Sequence, residues 1–337
     1  MKRPTQKDVA LRAGVSRSTV SYVLNDQKQL KVPISEETRQ RVMQAIAELG
    51  YEPDARAQAL RQGHTKIVGV IIPVIQNPFF WQTLSGVSDA LQEAGYSLHL
   101  SHNPQDEQQS LNTVRELSRQ RVDGFVLLAA VKYLMPRVTE YLRESGQPIV
   151  EITATEAEFD HVVHGYSAGT QTLMEHLLEL GHRKIGFIYG VTQEVQGFDR
   201  LLTYRQMLEA ADLSNAYEIH CGDQLEDAYR AAYDVLSRED RPTALLVIND
   251  MLALAVMRAA NDLGLNIPGD LSVAGFDDIS FSSYTIPRLT TVSGKAEESG
   301  REAVRLLLQR IEDPHLSRQV TSAEVQLIIR ESTGLVP

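Results

Sequence analysis

The chain has almost no cysteine and lacks long uninterrupted apolar runs. Its 337 residues include one cysteine, Cys221, so neither an internal disulfide framework nor a thiolate metal cluster can form. No apolar run approaches the roughly 18 residues needed to cross a bilayer. The start MKRPTQKDVA leads into polar residues instead of the apolar core of a signal peptide. We therefore expect a protein of a reducing compartment, the cytoplasm, with no membrane partner.

The sequence also lacks the local signatures of common catalytic sites. It has no nucleophile elbow, no Walker loop and no G-x-G-x-x-G turn after a strand. The histidines show no metal-ligand spacing, and we interpret His102, His161 and His164 as surface or cleft-lining polar groups. The acidic pair Asp277-Asp278 invites acid–base chemistry, but sequence neighbours at a strand end point in different directions. We predict no enzyme activity, no metal and no cofactor.

Positive charge is concentrated at one end of the chain. The net charge is −11, yet residues 1–66 contain 12 Lys and Arg against 7 Asp and Glu, while the remainder contains 21 against 37. A basic segment attached to an acidic body is typical of a protein that meets phosphates at one end only. An ordinary basic segment would carry the same charge, so charge alone does not identify the partner.

Three short, capped helices are predicted in the basic segment. Thr5 and Asp8 form a Thr-x-x-Asp capping box at the start of the first helix. Ser16 caps the second helix after a glycine-centred turn, and Ser35 caps a third helix that Gly50 ends. Two short helices joined by a tight turn make a helix-turn-helix, whose second helix enters the major groove of DNA.

The early residues of that second helix are the predicted base readers. Arg17 can hold guanine bidentately, Ser18 can donate or accept, and Tyr22 offers a hydroxyl and an apolar face. Small polar residues around them are suited to phosphate contacts that fix the register, namely Thr5, Ser16, Thr19, Ser21 and Asn25. The alternative is a three-helix packing module in which Arg17 is merely solvated.

At these residues the chain resembles a known family. KDVALRAGVSRSTVSYVLN, followed by SEETRQRVMQAIAELGYEP, is similar to the headpiece of the lactose/galactose repressor (LacI/GalR) family, whose usual run is close to KDVAxxAGVSxxTVSRVLN. The resemblance implies a transcription repressor that binds a pseudo-palindromic double-stranded operator as a homodimer. Tyr22 departs from the usual Arg, so the base preference of this chain is expected to differ.

The segment PDARAQALRQG, residues 53–63, resembles the hinge helix of the same family. The resemblance implies that two such helices pair in a widened minor groove, where Leu60 wedges between base steps and the small Ala57 lets the helices approach. A flexible linker is the alternative when DNA is absent, because a helix of about 8 residues is marginal alone.

From Lys66 onward, apolar strands alternate with amphipathic helices, which predicts doubly wound parallel sheets. The segment IVGVIIP (67–73) reads as a strand and residues 84–96 read as a helix. The pattern then repeats: Lys66-Ile67 is echoed by Lys184-Ile185, 118 residues later. Two similar α/β lobes resemble periplasmic sugar-binding proteins and leave a cleft for a small molecule. A periplasmic binding protein itself would need a signal peptide and no helix-turn-helix.

These patterns predict an all-α helix-turn-helix headpiece followed by an α/β, two-lobed sensor. We assign the headpiece to residues 1–52, the hinge to residues 53–64 and the effector-binding and dimerisation domain to residues 65–337. The lobe boundaries are placed near 153–166 and 285–295. The final QLIIRESTGLVP carries no heptad tail, so we expect a dimer through the sensor lobes.

The effector site is predicted from the carboxyl ends of the strands and from the resemblance. Asn77-Pro78-Phe79-Phe80 matches the family's NPFF loop, and Arg200, Asn249 and Asp277 match positions that contact effectors in the family. The predicted effector-binding residues are Phe79, Phe80, Thr153, Arg200, Asn249 and Asp277. Buried phenylalanines are also ordinary core residues, and Arg200 could instead form a surface salt bridge with Asp199.

The effector class is left between two alternatives. An Arg and an Asp can together clamp vicinal hydroxyls through charge-assisted hydrogen bonds, which favours a carbohydrate. Purine-binding members of the family place additional positive groups ahead of the ligand Arg, whereas here Glu194 precedes Arg200. A purine or another non-sugar metabolite remains the alternative.

Overall fold

A computed structural model describes residues 4–24, 34–52, 63–73, 77–103, 106–128, 136–153, 157–190, 198–213 and 217–337. The chain divides into two compact units, Met1–Thr65 and Lys66–Pro337. Three of the predicted DNA-contacting residues, Asn25, Ala57 and Leu60, lie outside the described residues.

The first unit contains the three predicted helices, α1 (Gln6–Ala13), α2 (Arg17–Leu24) and α3 (Glu36–Leu49). The Asp8 carboxylate accepts hydrogen bonds from the Thr5 amide at 2.8 Å and from the Thr5 hydroxyl at 2.7 Å. Local capping therefore fixes where α1 begins, and the predicted box is confirmed.

The caps of the other two helices are also as predicted. The Ser16 hydroxyl accepts from the Thr19 amide at 3.1 Å, and the Ser35 hydroxyl accepts from the Thr38 amide at 3.3 Å. All three helices bury small apolar side chains in one shared core, formed by Val9, Ala10, Ala13, Val20, Val23, Val42 and Ala45. Burial of this core holds the exposed face of α2 in a fixed orientation.

The second unit alternates strands and helices along most of its length. Its first part runs β1 (Ile67–Pro73), α4 (Pro78–Glu93), β2 (Ser97–Asn103), α5 (Glu107–Arg119), β3 (Gly124–Leu127), α6 (Pro136–Ser145), β4 (Ile149–Thr153) and β5 (Asp160–His164). The second part runs α7 (Tyr166–Glu179), β6 (Ile185–Tyr189), α8 (Phe198–Ala210), β7 (Tyr217–His220), α9 (Leu225–Leu236), β8 (Ala244–Val247), α10 (Asp250–Asp262), β9 (Ser272–Phe276), a 3₁₀ turn (Ser280–Ser283), β10 (Thr290–Ser293), α11 (Ala296–Glu312), β11 (Val320–Ala323) and β12 (Gln326–Ile328).

Two six-stranded sheets result, with the orders β2-β1-β3-β4-β5-β11 and β7-β6-β8-β9-β10-β12. The two orders correspond strand for strand, and their pairings are parallel except that of β10 with β12. The strands that begin at Ile67 and Ile185 are the equivalent β1 and β6. This confirms the predicted fold class and the internal repeat. We call the lobes of the first and second sheets the first lobe and the second lobe.

The chain passes between the lobes at three places: from β5 to α7, from β10 to α11 and from β11 to β12. Glycines let these crossovers approach one another closely. A Cβ on Gly294 would lie 2.5 Å from the Tyr166 hydroxyl, and a Cβ on Gly165 would lie 3.2 Å from the Ala323 carbonyl oxygen. The three crossovers therefore form one packed junction beneath the cleft.

Helix α4 begins earlier than the apolar stripe indicates. The predicted helix 84–96 is wrong at its start, and the predicted Asn77–Phe80 loop is instead the N-cap and first turn of α4. The Asn77 side chain accepts from the Phe79 amide at 3.0 Å, and Pro78 occupies the first helical position. Both residue types favour a helix start there. In the described part of the chain, no helix is long and apolar enough to cross a membrane.

Candidate nucleic-acid interface and effector cleft

The candidate DNA-contacting face lies on α2. Arg17 and Ser18 are exposed in its first turn, Tyr22 is exposed one turn later, and Val20 and Val23 point into the headpiece core. Helical spacing places the first three side chains together on the outward side. The arrangement presents a guanidinium and two hydroxyls, and these groups can read base edges in a major groove.

The small polar residues around this face already hydrogen-bond to one another. The Ser16 hydroxyl lies 2.7 Å from the Ser18 hydroxyl and 2.8 Å from the Thr19 hydroxyl. Thr5 is exposed at the start of α1, and Ser21 is half-buried on α2. Thr5, Ser16 and Thr19 lie at the amino ends of α1 and α2, where the helix dipole favours a negatively charged group such as a phosphate.

Asp277 lies at the centre of the candidate cleft, immediately after β9. It is buried, and the Tyr166 hydroxyl donates to its Oδ1 at 2.8 Å while Asn77 Nδ2 donates to its Oδ2 at 2.8 Å. Asn77 belongs to the first lobe and Asp277 to the second, so this carboxylate bridges the cleft. Burial raises the pKa of Asp277, whereas the charge of Arg200 and the two donated bonds oppose that rise.

The backbone at Asp277 is held in an uncommon conformation. Asp277 and Asp278 have φ values of 104° and 53°, in the left-handed region that costs non-glycine residues free energy. Their side chains diverge as predicted: Asp278 pairs with Arg330 at 2.6 Å, away from the partners of Asp277. This geometry gives no support to a catalytic carboxylate pair.

Arg200 lies in the first turn of α8 and is buried, with 7% of its surface exposed. Its Nη1 donates to the Ile248 carbonyl at 2.7 Å, and its guanidinium carbon lies 4.5 Å from the centre of the Tyr166 ring and 5.3 Å from that of Phe276. The guanidinium therefore packs on aromatic faces near Asp277. A surface salt bridge with Asp199 does not describe this position.

Asn249, predicted to lie at the carboxyl end of a strand, lies two residues after the end of β8 and caps a helix. Its Oδ1 accepts from the Leu252 amide at 2.8 Å at the start of α10. The next residue, Asp250, is fully buried and accepts from Ser282, Thr291 and the Ile279 amide. These bonds all lie within the second lobe, so Asp250 stabilises that side of the cleft. Asn249 is half-buried and directly follows Ile248, whose carbonyl accepts from Arg200.

The predicted aromatic residues are placed unequally. Phe79 is buried and packs with Ile279 of the second lobe, and its ring meets that of His164 edge-on at 5.1 Å. Phe80 is half-buried on the first lobe. Thr153 is fully buried at the end of β4. Phe79 is connected to the Arg200–Asp277 cluster through His164, whose ring also lies beside Tyr166.

Three residues of this cluster, Asn77, His164 and Tyr166, are absent from the predicted effector-binding set, although Tyr166 was expected to line the pocket and His164 was interpreted as a surface or cleft-lining group. Asn77 was assigned to a loop, and the two aromatic residues stand where the sequence departs from the family's usual pattern. Burial, and then the charge of Arg200, lower the pKa of His164 to about 4. Tyr166, whose pKa burial and Asp277 raise well above its usual value, remains a hydroxyl donor. The run His164-Gly165-Tyr166 was a usable signal, because it places one polar aromatic residue at the end of a buried strand and another just after it.

One open surface cavity, of about 630 Å³, lies elsewhere, between β7 and α9. It is lined by residues such as Glu218, His220 and Arg230 and contains none of the predicted effector residues. The buried clustering of Arg200 and Asp277 at the junction of the lobes is the stronger sign of a built site.

Comparisons with known proteins match both units. Residues 5–54 match bacterial regulatory proteins of the lacI family, and residues 174–333 match a periplasmic binding protein-like domain. The HTH-type transcriptional repressor PurR of Aliivibrio salmonicida is 32% identical over 331 residues, which cover 97% of this chain and 98% of that protein. The ribose operon repressor of Haemophilus influenzae is 31% identical with the same coverage.

The chain belongs to the LacI family of bacterial regulatory proteins. Its fold also matches the Lac repressor dimer bound to operator and the anti-inducer ONPF, with a TM-score of 0.86 and 27% identity over 99% of this chain and 100% of that one. The predicted family is therefore confirmed. This LacI-family chain is a DNA-binding transcriptional repressor, and its family consists of regulators rather than enzymes.

Proposed function

We propose that this LacI-family repressor binds a pseudo-palindromic operator as a homodimer and that a neutral carbohydrate bound between its lobes sets its operator affinity. One observation carries the effector part of the proposal. Arg200 and Asp277, which come from α8 and the end of β9, are both buried in one cluster at the junction of the two lobes. A buried cation and a buried anion are costly unless they serve a ligand or each other.

The chemistry of this cluster suits a polyhydroxylated molecule. A guanidinium donates to hydroxyl oxygens and a carboxylate accepts from hydroxyl hydrogens, so together they grip adjacent hydroxyls. The rings of Phe79 and Tyr166 supply apolar surface beside these polar groups. Ligand sites commonly combine aromatic walls with a few convergent polar groups.

A purine base is the second candidate effector. PurR of Aliivibrio salmonicida and the ribose operon repressor are about equally similar to this chain, so similarity does not separate the two classes. A flat base could stack on Phe79 and offer donors and acceptors to Arg200 and Asp277. The two classes therefore differ in the number of hydroxyls that the cluster would hold.

For DNA binding, the proposal assigns base contacts to Arg17, Ser18 and Tyr22. Phosphate contacts are assigned to the flanking polar residues Thr5, Ser16, Thr19, Ser21 and Asn25, and minor-groove contacts to Ala57 and Leu60. A single helix-turn-helix reads only half of a two-fold site, so two chains are needed for full affinity.

The second lobe offers a surface for such a dimer. After β9, three large apolar side chains are exposed: Phe281 at 56%, Tyr284 at 84% and Ile286 at 98%. We call these three residues the apolar patch. A cluster of this kind is costly in water and is typical of a protein–protein contact. The Lac repressor solved as a dimer on its operator supports assigning the patch to a second copy of this chain.

Thermal unfolding of the intact chain with D-ribose, cellobiose, D-galactose and hypoxanthine tests the effector proposal. A compound present at 100 times its Kd should stabilise the folded protein by about 2.7 kcal/mol. Arg200→Ala should abolish that shift. Arg205→Ala, on the same helix but paired with Glu218 at 2.6 Å outside the cluster, should retain it. A shift that survives Arg200→Ala would contradict the proposed site.

A further inference from the structure

His164 occupies a central position in the cleft that the assignments above leave without a role. It ends β5 at the first crossover between the lobes and is 5% exposed. Its ring contacts Phe79 edge-on at 5.1 Å and lies 5.4 Å from the ring of Tyr166. The ring is therefore fixed between an aromatic residue of the first lobe and the hydroxyl donor that holds Asp277.

The two ring nitrogens of His164 have different surroundings. One is hydrogen-bonded to the backbone of Gly294 at the second crossover, and this bond favours the protonated ring, as expected when a carbonyl oxygen accepts from an N–H. The other nitrogen, Nδ1, is buried and has no hydrogen-bond partner among the described residues. A neutral imidazole has one donor and one acceptor nitrogen. Since the Gly294 bond uses the donor, Nδ1 is an unpaired acceptor.

Arg200 presents the complementary unpaired group. Its Nη1 is bonded to the Ile248 carbonyl, whereas its Nε is buried with no partner in the described part of the chain. Nε–H can only donate. The guanidinium lies over the Tyr166 ring, which is also beside His164. One buried cluster thus contains an unpaired acceptor and an unpaired donor.

Unpaired polar atoms inside a protein cost stability, and a binding site is where such a cost is recovered when the ligand arrives. We propose that His164 is an effector-reading residue whose Nδ1 accepts a hydrogen bond from an O–H or N–H of the effector, while Arg200 Nε donates to an acceptor on the same molecule. The effector then carries both a hydrogen-bond donor and a hydrogen-bond acceptor. This inference rests on the proposed function, because it assumes that the cleft binds the effector.

The low pKa of His164 is consistent with this role. A ring that burial and Arg200 keep uncharged retains its acceptor at neutral pH. Two classes of effector supply the required donor and acceptor. A sugar offers them through vicinal hydroxyls, and a purine such as hypoxanthine offers them through a ring N–H and a carbonyl.

The test is calorimetric binding of D-ribose, cellobiose, D-galactose and hypoxanthine to the full-length wild type, His164→Phe and His161→Phe. Phenylalanine keeps the aromatic shape and removes both nitrogens. His161 is the matched control, since it lies on the same strand, is buried, and its Nδ1 is already satisfied by the Phe159 carbonyl at 3.0 Å. The melting temperature without ligand is recorded for each protein, because it separates a binding role from a structural one.

We expect His164→Phe to weaken binding of the compound that wild type binds by at least tenfold, without lowering the ligand-free melting temperature. His161→Phe should lower the melting temperature and leave binding within about twofold of wild type. Binding by His164→Phe that equals wild type would overturn the inference and leave the proposed function intact. Loss of binding together with a lowered melting temperature would also overturn it, since His164 would then be structural. If none of the four compounds binds wild type, the proposed effector classes fail, and this inference fails with them.

Discussion

Arg17 is the residue on which the sequence specificity of this repressor should depend most. It is exposed at the first turn of α2, and its Nε makes a long hydrogen bond of 3.4 Å to the Gln6 side chain, the shortest polar contact it has among the described headpiece residues. Such a loosely held guanidinium can turn to a guanine edge at little cost. A bidentate contact to a base discriminates by about 1–3 kcal/mol.

We predict that Arg17→Ala weakens binding to the cognate operator by about 1–3 kcal/mol and changes binding to random duplex much less. Fluorescence anisotropy with an operator selected from a random library measures both. Arg12→Ala is the control, because Arg12 pairs with Glu48 on the surface and should affect both duplexes alike. Equal losses on the two duplexes for Arg17→Ala would mean that it contacts phosphate only.

The buried His164 predicts a specific pH dependence of stability. Its pKa is about 4 in the folded protein against about 6.5 in the unfolded chain, so the unfolded state binds the proton more readily. Stability is therefore lost as the pH falls through this window, by about 2 kcal/mol between pH 7 and pH 5. His164→Phe should lack this loss, as judged by urea unfolding at both pH values. Parallel stability profiles for the two proteins would contradict the assigned burial and neutrality of His164.

At the scale of elements, two helices of the first lobe, α4 and α11, pack in close contact. Helix α11 is the first element after the chain crosses back from the second lobe. A Cβ on Gly86 would lie 2.0 Å from the Glu297 carbonyl oxygen, and a Cβ on Gly300 would lie 2.2 Å from that of Thr83. These obstacles are backbone atoms, so the two helices would have to separate to admit a methyl group.

Gly86→Ala should consequently destabilise the second unit by about 1–3 kcal/mol, although alanine alone favours a helix by up to about 1 kcal/mol. The midpoint of urea unfolding measures the change. Ser85→Ala, at the neighbouring exposed position of the same helix, should stay within about 0.5 kcal/mol of wild type. A Gly86→Ala protein as stable as wild type would show that the helices do not pack this closely.

How much of the structure the sequence reveals differs between elements. The headpiece helices begin at Thr5, Ser16 and Ser35 as predicted, because a cap is decided by residues three positions apart. The sheets follow from their apolar runs and from the repeat. The start of α4 was misplaced because the prediction followed the apolar residues from position 84 onward and did not use Asn77-Pro78 as a helix-capping signal. The sequence contained a local signal for each of these elements. The start of α4 was wrong only because the less decisive of two signals was followed.

The candidate site was less predictable because it depends on contacts between distant parts of the chain. Arg200 and Asp277 were identified from the family resemblance, but the bond between Asn77 and Asp277 spans 200 residues. The third crossover, from β11 to β12, and the unpaired nitrogen of His164 emerge only when the lobes are assembled. No periodicity or spacing in the sequence indicates which of these distant residues come into contact.

At the scale of the whole molecule, dimerisation should decide operator affinity. Ile286→Arg places a charge in the apolar patch, so it should convert the proposed dimer to monomers in sedimentation at micromolar concentration and weaken operator binding by more than tenfold. Leu316→Arg, at a partly exposed apolar side chain outside the patch, should leave both properties unchanged. A dimer that persists in Ile286→Arg would place the dimer contact elsewhere.

The most direct measurement is the operator affinity of wild type, Asp277→Ala and Arg200→Ala, each with and without the compound that gives the largest thermal shift. Coupling between two sites in one protein is typically about 1–3 kcal/mol, so wild type should change its operator Kd about 5- to 150-fold when the compound is added. Both variants should bind the operator without compound about as well as wild type and should show no change on addition. Variants that respond like wild type, or that lose operator binding without any compound, would contradict a repressor whose DNA affinity is set in this cleft.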